Sequence, residues 1–354
     1  MKKPVFTIIM DTFNRPALLR HAVEALFRQT YTHLEIILVN NAATPETVAY
    51  LHQLEAKDRR VKLIHFTENQ FSWDNPMKLI NCYNAGLAMA TGDYVWYQSD
   101  DDWIADDYAE KMVRLFEENP ECTTVAGMPV AVDSRGMLLD SGHRTTNFRP
   151  RYTPGHELSL DYLRGGNMYS APGTMFTIKR DVLVKAGGYH RNLEDSHLYG
   201  IVPFGVSGFD ETARFYWRYH DGQVNKLLNL QGYWSSDDFF DLLREWEIER
   251  RWQVFGNEVA REVVTTLQKN HYRSAADWFA IHLGTGNFKA SRRLTQKIGG
   301  HLGFWREVPG QLWRRKNSMG YLKGPVRKLF RFWPSLADLS PRLASLRNRA
   351  ERKL

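Results

Sequence analysis

The sequence predicts an α/β fold, a mostly parallel twisted sheet with helices on both faces, followed by a helical, basic C-terminal extension. Three observations carry this reading. β-rich runs alternate with amphipathic helical patterns up to about residue 130. One such run, "YVWYQSDDDW" at residues 94–103, ends in three adjacent carboxylates, Asp100, Asp101 and Asp102. The charge is divided unevenly: residues 241–354 hold 23 Lys+Arg against 10 Asp+Glu, net +13, which leaves 24 against 30, net −6, for residues 1–240.

The elements follow in order. "VFTIIM" (5–10) is a continuous apolar strand pattern. "NRPALLRHAVEALFRQT" has Asn14 as a candidate N-cap, Pro16 in the first turn, and Leu19, Val23, Leu26 and Phe27 on one helical stripe. "LEIILVN" (34–40) is a second strand, "TPETVAYLHQLEAK" (44–57) a helix opened by Thr44 and Pro45, and "VKLIHF" (61–66) a third strand. "MKLINCYNAGLAMATG" (77–92) reads as a helix closed at Gly92, and "DYVWYQS" as a fourth strand. The organisation expected is two halves of one domain, residues 1–130 and 131–236, and an extension over 237–354.

Bulk properties narrow the class. With 354 residues, 43% hydrophobic and 25% charged, the chain has the composition of a globular protein. Two cysteines without motif spacing, Cys82 and Cys122, argue against a disulfide framework and a Cys-based zinc site. Pro16 and the polar "DTFNR" interrupt the first apolar run before it could serve as a signal segment, and no apolar run approaches the roughly 20 residues of a membrane span. A cytoplasmic location is expected, with peripheral attachment at the inner face of the cell membrane.

In an open α/β sheet, ligands bind beyond the carboxyl ends of the strands. Three loops leave such ends: "DTFNRP", "NNAAT" and "SDDDW". Two like charges roughly 4 Å apart repel by about 4 kcal/mol at an effective dielectric near 20, so the acid triplet requires either water or something positive. A hard divalent cation, Mn²⁺ or Mg²⁺, suits oxygen ligands and would neutralise a diphosphate as well. The alternative is a solvated turn, or a cap on a helix beginning near Trp103.

These residues resemble a known family. "FTIIMDTFNRPALLRHAVEALFRQTYTHLEIILVNNAAT" followed by "NAGLAMATGDYVWYQSDDDW" is similar to the nucleotide-binding half of family 2 glycosyltransferases of the GT-A fold, closely over residues 4–125 and more loosely to about 235. The resemblance implies a nucleoside diphosphate sugar donor, UDP- or TDP-linked, with Phe13 stacking on the base and Thr12 beside the nucleoside. It puts Asn41 where the family hydrogen-bonds the base, although Asn40-Asn41 replaces two acids and an Asx turn is the competing reading. Asp101 is implied as metal ligand, Asp100 as a contact to the ribose or a metal-bound water, and Asp102 as a further ligand or a helix cap. Lys78 falls where the family often carries a diphosphate contact, or else is a solvated lysine.

The second half resembles the family's acceptor side in "GTMFTIKRDVLVKAGGY" (173–189) and "GFDETARFYWRYHDG" (208–222). The latter is read as a helix with Asp210 and Glu211 at its N-terminus, where the dipole favours anions. The family's catalytic Asp falls on Thr212, so the general base shifts to Glu211 first and Asp210 second. The pair Glu194-Asp195 competes. His190, His197 and His220 are read as structural or surface residues.

Residues 237–270 read as long helices and 272–283 as another. The basic, Trp-bearing end fits an anionic membrane surface, where a lipid-linked acceptor would be found, or else a helical appendage. The implied function is metal-dependent, inverting transfer of a sugar to a hydroxyl of a glycan or lipid-linked saccharide in cell-surface polysaccharide synthesis. The second class is a catalytically degenerate nucleotide-binding domain whose basic tail binds membrane, a partner protein or, least favoured, nucleic acid.

Overall fold

The computed structural model describes residues 3–71, 79–139, 150–163, 176–189, 201–220 and 257–315. They fall into two compact units, one drawn from residues 1–220 and the other containing 257–315.

The first unit is built on a nine-stranded sheet. Its first half holds β1 (Phe6–Thr12), α1 (Pro16–Phe27), β2 (Leu34–Asn41), α2 (Pro45–Lys57), β3 (Val61–Phe66), α3 (Ile80–Met89) and β4 (Tyr94–Ser99). β1 and β2 are buried along their whole length, which is why they read as unbroken apolar runs rather than alternating ones. α1 buries Leu19, Ala22, Val23, Ala25 and Leu26. At Gly86 of α3 an added Cβ would lie 2.3 Å from Ile9 Cγ2, so only glycine lets that helix approach β1 so closely.

The remaining elements of this unit are β5 (Trp103–Ile104), α4 (Tyr108–Glu118), β6 (Cys122–Val132), β7 (Tyr152–Pro154), α5 (Gly155–Leu163), β8 (Phe176–Lys179), α6 (Arg180–Lys185) and β9 (Val206–Arg218). Strand order is β3-β2-β1-β4-β8-β6-β9-β5, with β7 also on β9. β1 to β4 are mutually parallel, and β8 runs antiparallel between β4 and β6. Sequence order reverses between β1 and β4, the switch point at which such sheets open a crevice. Register aligns Asp11 with Ser99 and Thr12 with Asn40, so the three loops named from sequence leave the sheet side by side.

Four expectations are corrected. Asn14 does not cap α1; its Oδ1 accepts the Thr44 backbone N–H at 2.9 Å and ties the β1 loop to the β2 loop. Asp102 caps no helix, because α4 starts at Tyr108 behind Asp107. Residues 208–220 are not helical: Val206–Arg218 is strand β9, where Ala213 and Phe215 are buried and Arg214 between them is exposed. The break expected between 270 and 272 is absent, and α7 (Asn257–Gly284) runs through, since the sequence there contains no Gly or Pro. Residues 237–256 lie outside the described residues.

In the second unit α7 is followed by α8 (Phe288–Ile298) and α9 (Leu302–Arg315). Asn287 caps α8 through its side-chain oxygen. Ala275, Ala276, Leu294, Ile298, Phe304 and Val308 form the core, and Arg315 grips Asp277 through two bonds of 2.6 and 2.5 Å. Among the described residues no helix is long and apolar enough to cross a membrane, and Cys82 and Cys122 are buried free thiols.

Candidate active site

The carboxyl ends of β1 and β4 carry four buried acids: Asp11, Asp100, Asp101 and Asp102. The positive group that the triplet requires is Arg15, from the loop after β1. Its guanidinium bridges Asp100 Oδ1 and Asp101 Oδ2, each at 2.5 Å, and Thr12 Oγ1 donates to the other oxygen of Asp100 at 2.7 Å. Burial opposes the Arg15 charge, but Asp100 and Asp101 outweigh it and push its pKa up.

Two further groups arrive from the end of β9. His220 Nε2 lies 2.9 Å from Asp101 Oδ2. The backbone N–H of Arg218 donates to Asp102 Oδ1, and its Nε to the carbonyl of Asp101, both at 2.9 Å. The Arg218 guanidinium also sits 4.6 Å over the Trp103 ring, which stacks on Tyr216. The acidic loop is thus clamped from β1 on one side and β9 on the other.

The electrostatics of the four acids diverge. Burial pushes the Asp100 carboxyl up, with Asp101 and Asp11 adding to the shift against Arg15, and burial pushes Asp102 well up. For Asp101 burial acts in the same direction, but the bond to His220 and the charge of Arg15 prevail and hold it down. Asp11 is raised by burial against its hydrogen bond from the Tyr97 hydroxyl. The site is therefore short of positive charge even with Arg15 in place.

That shortage, in a donor set made of oxygens, fits a hard divalent cation. Among the described residues no three Asp, Glu, His or Cys side chains converge on one metal position. A cation here would take ligands from a bound diphosphate as well as from the protein, the usual arrangement for Mg²⁺.

The other expected residues are placed as follows. Phe13 stands at the rim with 37% of its surface exposed. Asn41 is buried, and its Oδ1 accepts the Gln70 backbone N–H at 2.7 Å. Asn40 accepts the Ala43 N–H three residues on at 2.8 Å, one residue longer than an Asx turn. Glu211 and Asp210 are not brought to the acid cluster. They sit in β9 opposite Gly127, while Arg218 is opposite Val132, which puts them roughly 15 Å back along the sheet. Asp210 is bound instead to Thr212 and Arg151. Lys78, His190, Glu194, Asp195 and His197 lie outside the described residues.

Sequence reasoning assigned no role to Asp11, Arg15 or Arg218 and read His220 as structural or surface. Arg15 was detectable, because it is the one basic residue in a loop that had to face three acids. Asp11 gave no comparable signal.

Comparison with known proteins adds independent findings. The family model described as "Glycosyl transferase family 2" matches residues 7–187. An uncharacterized glycosyltransferase of Haemophilus influenzae is 31% identical over 34% of this chain and 45% of its own. A GalNAc(5)-diNAcBac-PP-undecaprenol beta-1,3-glucosyltransferase of Campylobacter jejuni is 31% identical over 28% of this chain and 30% of its own. The chain thus covers less than half the length of these curated relatives. Among solved structures, S. aureus TarS residues 1–349 superposes with a TM-score of 0.57 at 13% identity, covering 90% of this chain and 92% of that one. TarS 1–349 in complex with UDP-GlcNAc gives 0.56 at 14% identity, over 89% and 81%. At these identities the likeness establishes the fold, a GT-A α/β architecture, and nothing finer.

Proposed function

The chain belongs to glycosyl transferase family 2, and on that premise we propose that it transfers a sugar from a UDP- or TDP-sugar to a hydroxyl of a glycan or lipid-linked saccharide, with inversion. The observation that carries this reading is the convergence of Thr12, Arg15, Asp100 and Asp101 at the switch point between β1 and β4. The donor class is supported by the UDP-GlcNAc complex of TarS, and the acceptor class by the undecaprenol-linked substrate in the name of the Campylobacter relative.

The roles follow from the chemistry of each side chain. Phe13 offers an exposed aromatic face to the base. Asn41 shapes the base subsite by holding Gln70. Asp100 and Asp101 would hold Mn²⁺ or Mg²⁺, with Asp102 behind them, and the ion would neutralise charge on the departing nucleoside diphosphate. Arg15 reaches the same phosphates when it leaves the acids.

For the base, Glu211 and Asp210 are set aside in favour of Glu194-Asp195. Tyr189, five residues before Glu194, hydrogen-bonds Asn84 through both backbone groups, and its ring is 6.3 Å from that of Tyr97, the partner of Asp11. Tyr189, the last described residue before that pair, thus stands beside the partner of an acid in the cluster.

Calorimetry with UDP and TDP tests the reading. Affinity should fall at least about tenfold when a chelator removes Mn²⁺; equal affinity would take the ion from Asp100 and Asp101. Asp195→Asn should abolish transfer and keep donor binding, and normal turnover would move the base elsewhere. Binding without transfer to any acceptor in the native chain would favour the degenerate nucleotide binder.

A further inference from the structure

Helix α9 has two faces of different character. Phe304, Val308 and Gln311 are buried on the inner side. On the opposite side Leu302, Trp305 and Trp313 recur at i, i+3 and i+11, which is one stripe at 3.6 residues per turn, and they are 74%, 43% and 43% exposed. Arg306 and Arg314 are exposed beside them. Trp305 Nε1 already donates to the Gly299 carbonyl at 2.7 Å, so the part of that ring left facing outward is hydrocarbon.

We propose that this outer face of α9 docks on an anionic lipid surface. Exposed aromatic rings flanked by arginines match the boundary between headgroups and acyl chains, where Trp settles and Arg meets lipid phosphates. The charge of the surrounding unit agrees: residues 257–315 contain ten Lys+Arg against four Asp+Glu. Lipid is preferred over a second copy of the chain because the exposed charges beside the stripe, Arg306 and Arg314, are of one sign and the unit around them is net positive, which suits an anionic surface. The inner face is fixed by its packing, so α9 docks as a folded element. About 17 Å of helix separates Leu302 from Trp313, enough for a shallow contact over three turns. The proposal does not depend on sugar transfer.

Co-sedimentation of the full-length chain with phosphatidylcholine vesicles, with and without phosphatidylglycerol, tests it. The native chain should bind only the anionic vesicles. Leu302→Ser with Trp313→Ser, which leaves the Trp305 bond to Gly299 in place, should lower partitioning at least about tenfold with helicity unchanged by circular dichroism. Arg306→Gln with Arg314→Gln should remove most of the preference for phosphatidylglycerol. Equal binding to neutral vesicles would overturn the proposal. So would full binding by the Leu302/Trp313 variant together with loss on deleting 316–354, which would give the contact to the tail. A native dimer that the variant dissociates, without vesicle binding, would identify a second copy as the occupant. UDP affinity measured on the same variants separates this outcome from that of the transfer reading.

Discussion

The two ends of the same parallel strands hold buried carboxylates in opposite conditions. At the amino ends, Glu35 of β2 accepts from the Thr7 hydroxyl, the backbone and hydroxyl of Thr91, the backbone of Gly92 and the Lys62 ammonium. Burial would raise its pKa, but these donors outweigh burial and hold it at about 2. At the carboxyl ends, burial pushes Asp100 and Asp102 up and the neighbouring acids add to the shift, which Arg15 offsets only in part. A satisfied buried charge fastens a fold together, whereas an unsatisfied one is a binding site for whatever completes it.

The sharpest way to break this comparison is to remove one acid from each end. Asp101→Asn should lower turnover on the order of a hundred- to a thousandfold. It should cost about 2 kcal/mol of stability, because Asp101 gives up Arg15 and His220 while Arg15 retains Asp100. A variant that unfolds but stays active when folded would mean that the cluster is structural.

Glu35→Gln should do the reverse, keeping turnover and costing roughly 3 kcal/mol at neutral pH, judged from a pKa of about 2 against an ordinary 4.5. Because the folded-state pKa is depressed, that stabilisation is complete above about 4.5 and is lost as pH falls toward 2. Denaturant melts across this range should therefore show the gap between native and variant closing in acid. A gap independent of pH would assign the effect to packing.

The smallest effect is expected at Glu211→Gln, exposed on β9 and remote from the cluster. Turnover should stay within about twofold, the range of an ordinary surface substitution. A collapse in rate would return Glu211 to the catalytic group.

The first half of the sheet was legible because each strand there is long, apolar and separated from the next by a helix, two of them opened by proline. β1, β2, β3 and β4 fall within two residues of where the sequence put them. The second half was harder: β5 and β7 are only two and three residues long and carry no period of their own. β9 was misread because "ARFYWR" fits a helical stripe as well as a strand, and only pairing with β6 decides between them. At the site, the acid triplet was legible as a charge problem, while its counterpart Arg15 went unassigned although it stands in the loop facing the triplet. Arg218 and His220 were not, since they come from 116 and 119 residues away along the chain.

The knot made by Arg218 on Asp101 and Asp102 binds the end of β9 to the loop after β4. The strand end and the loop that meet there therefore cannot be inherited separately. A chimaera assembled from two relatives would need both sides of that knot from a single parent, and any change that shifted β9 would be felt at once by Asp101 and Asp102.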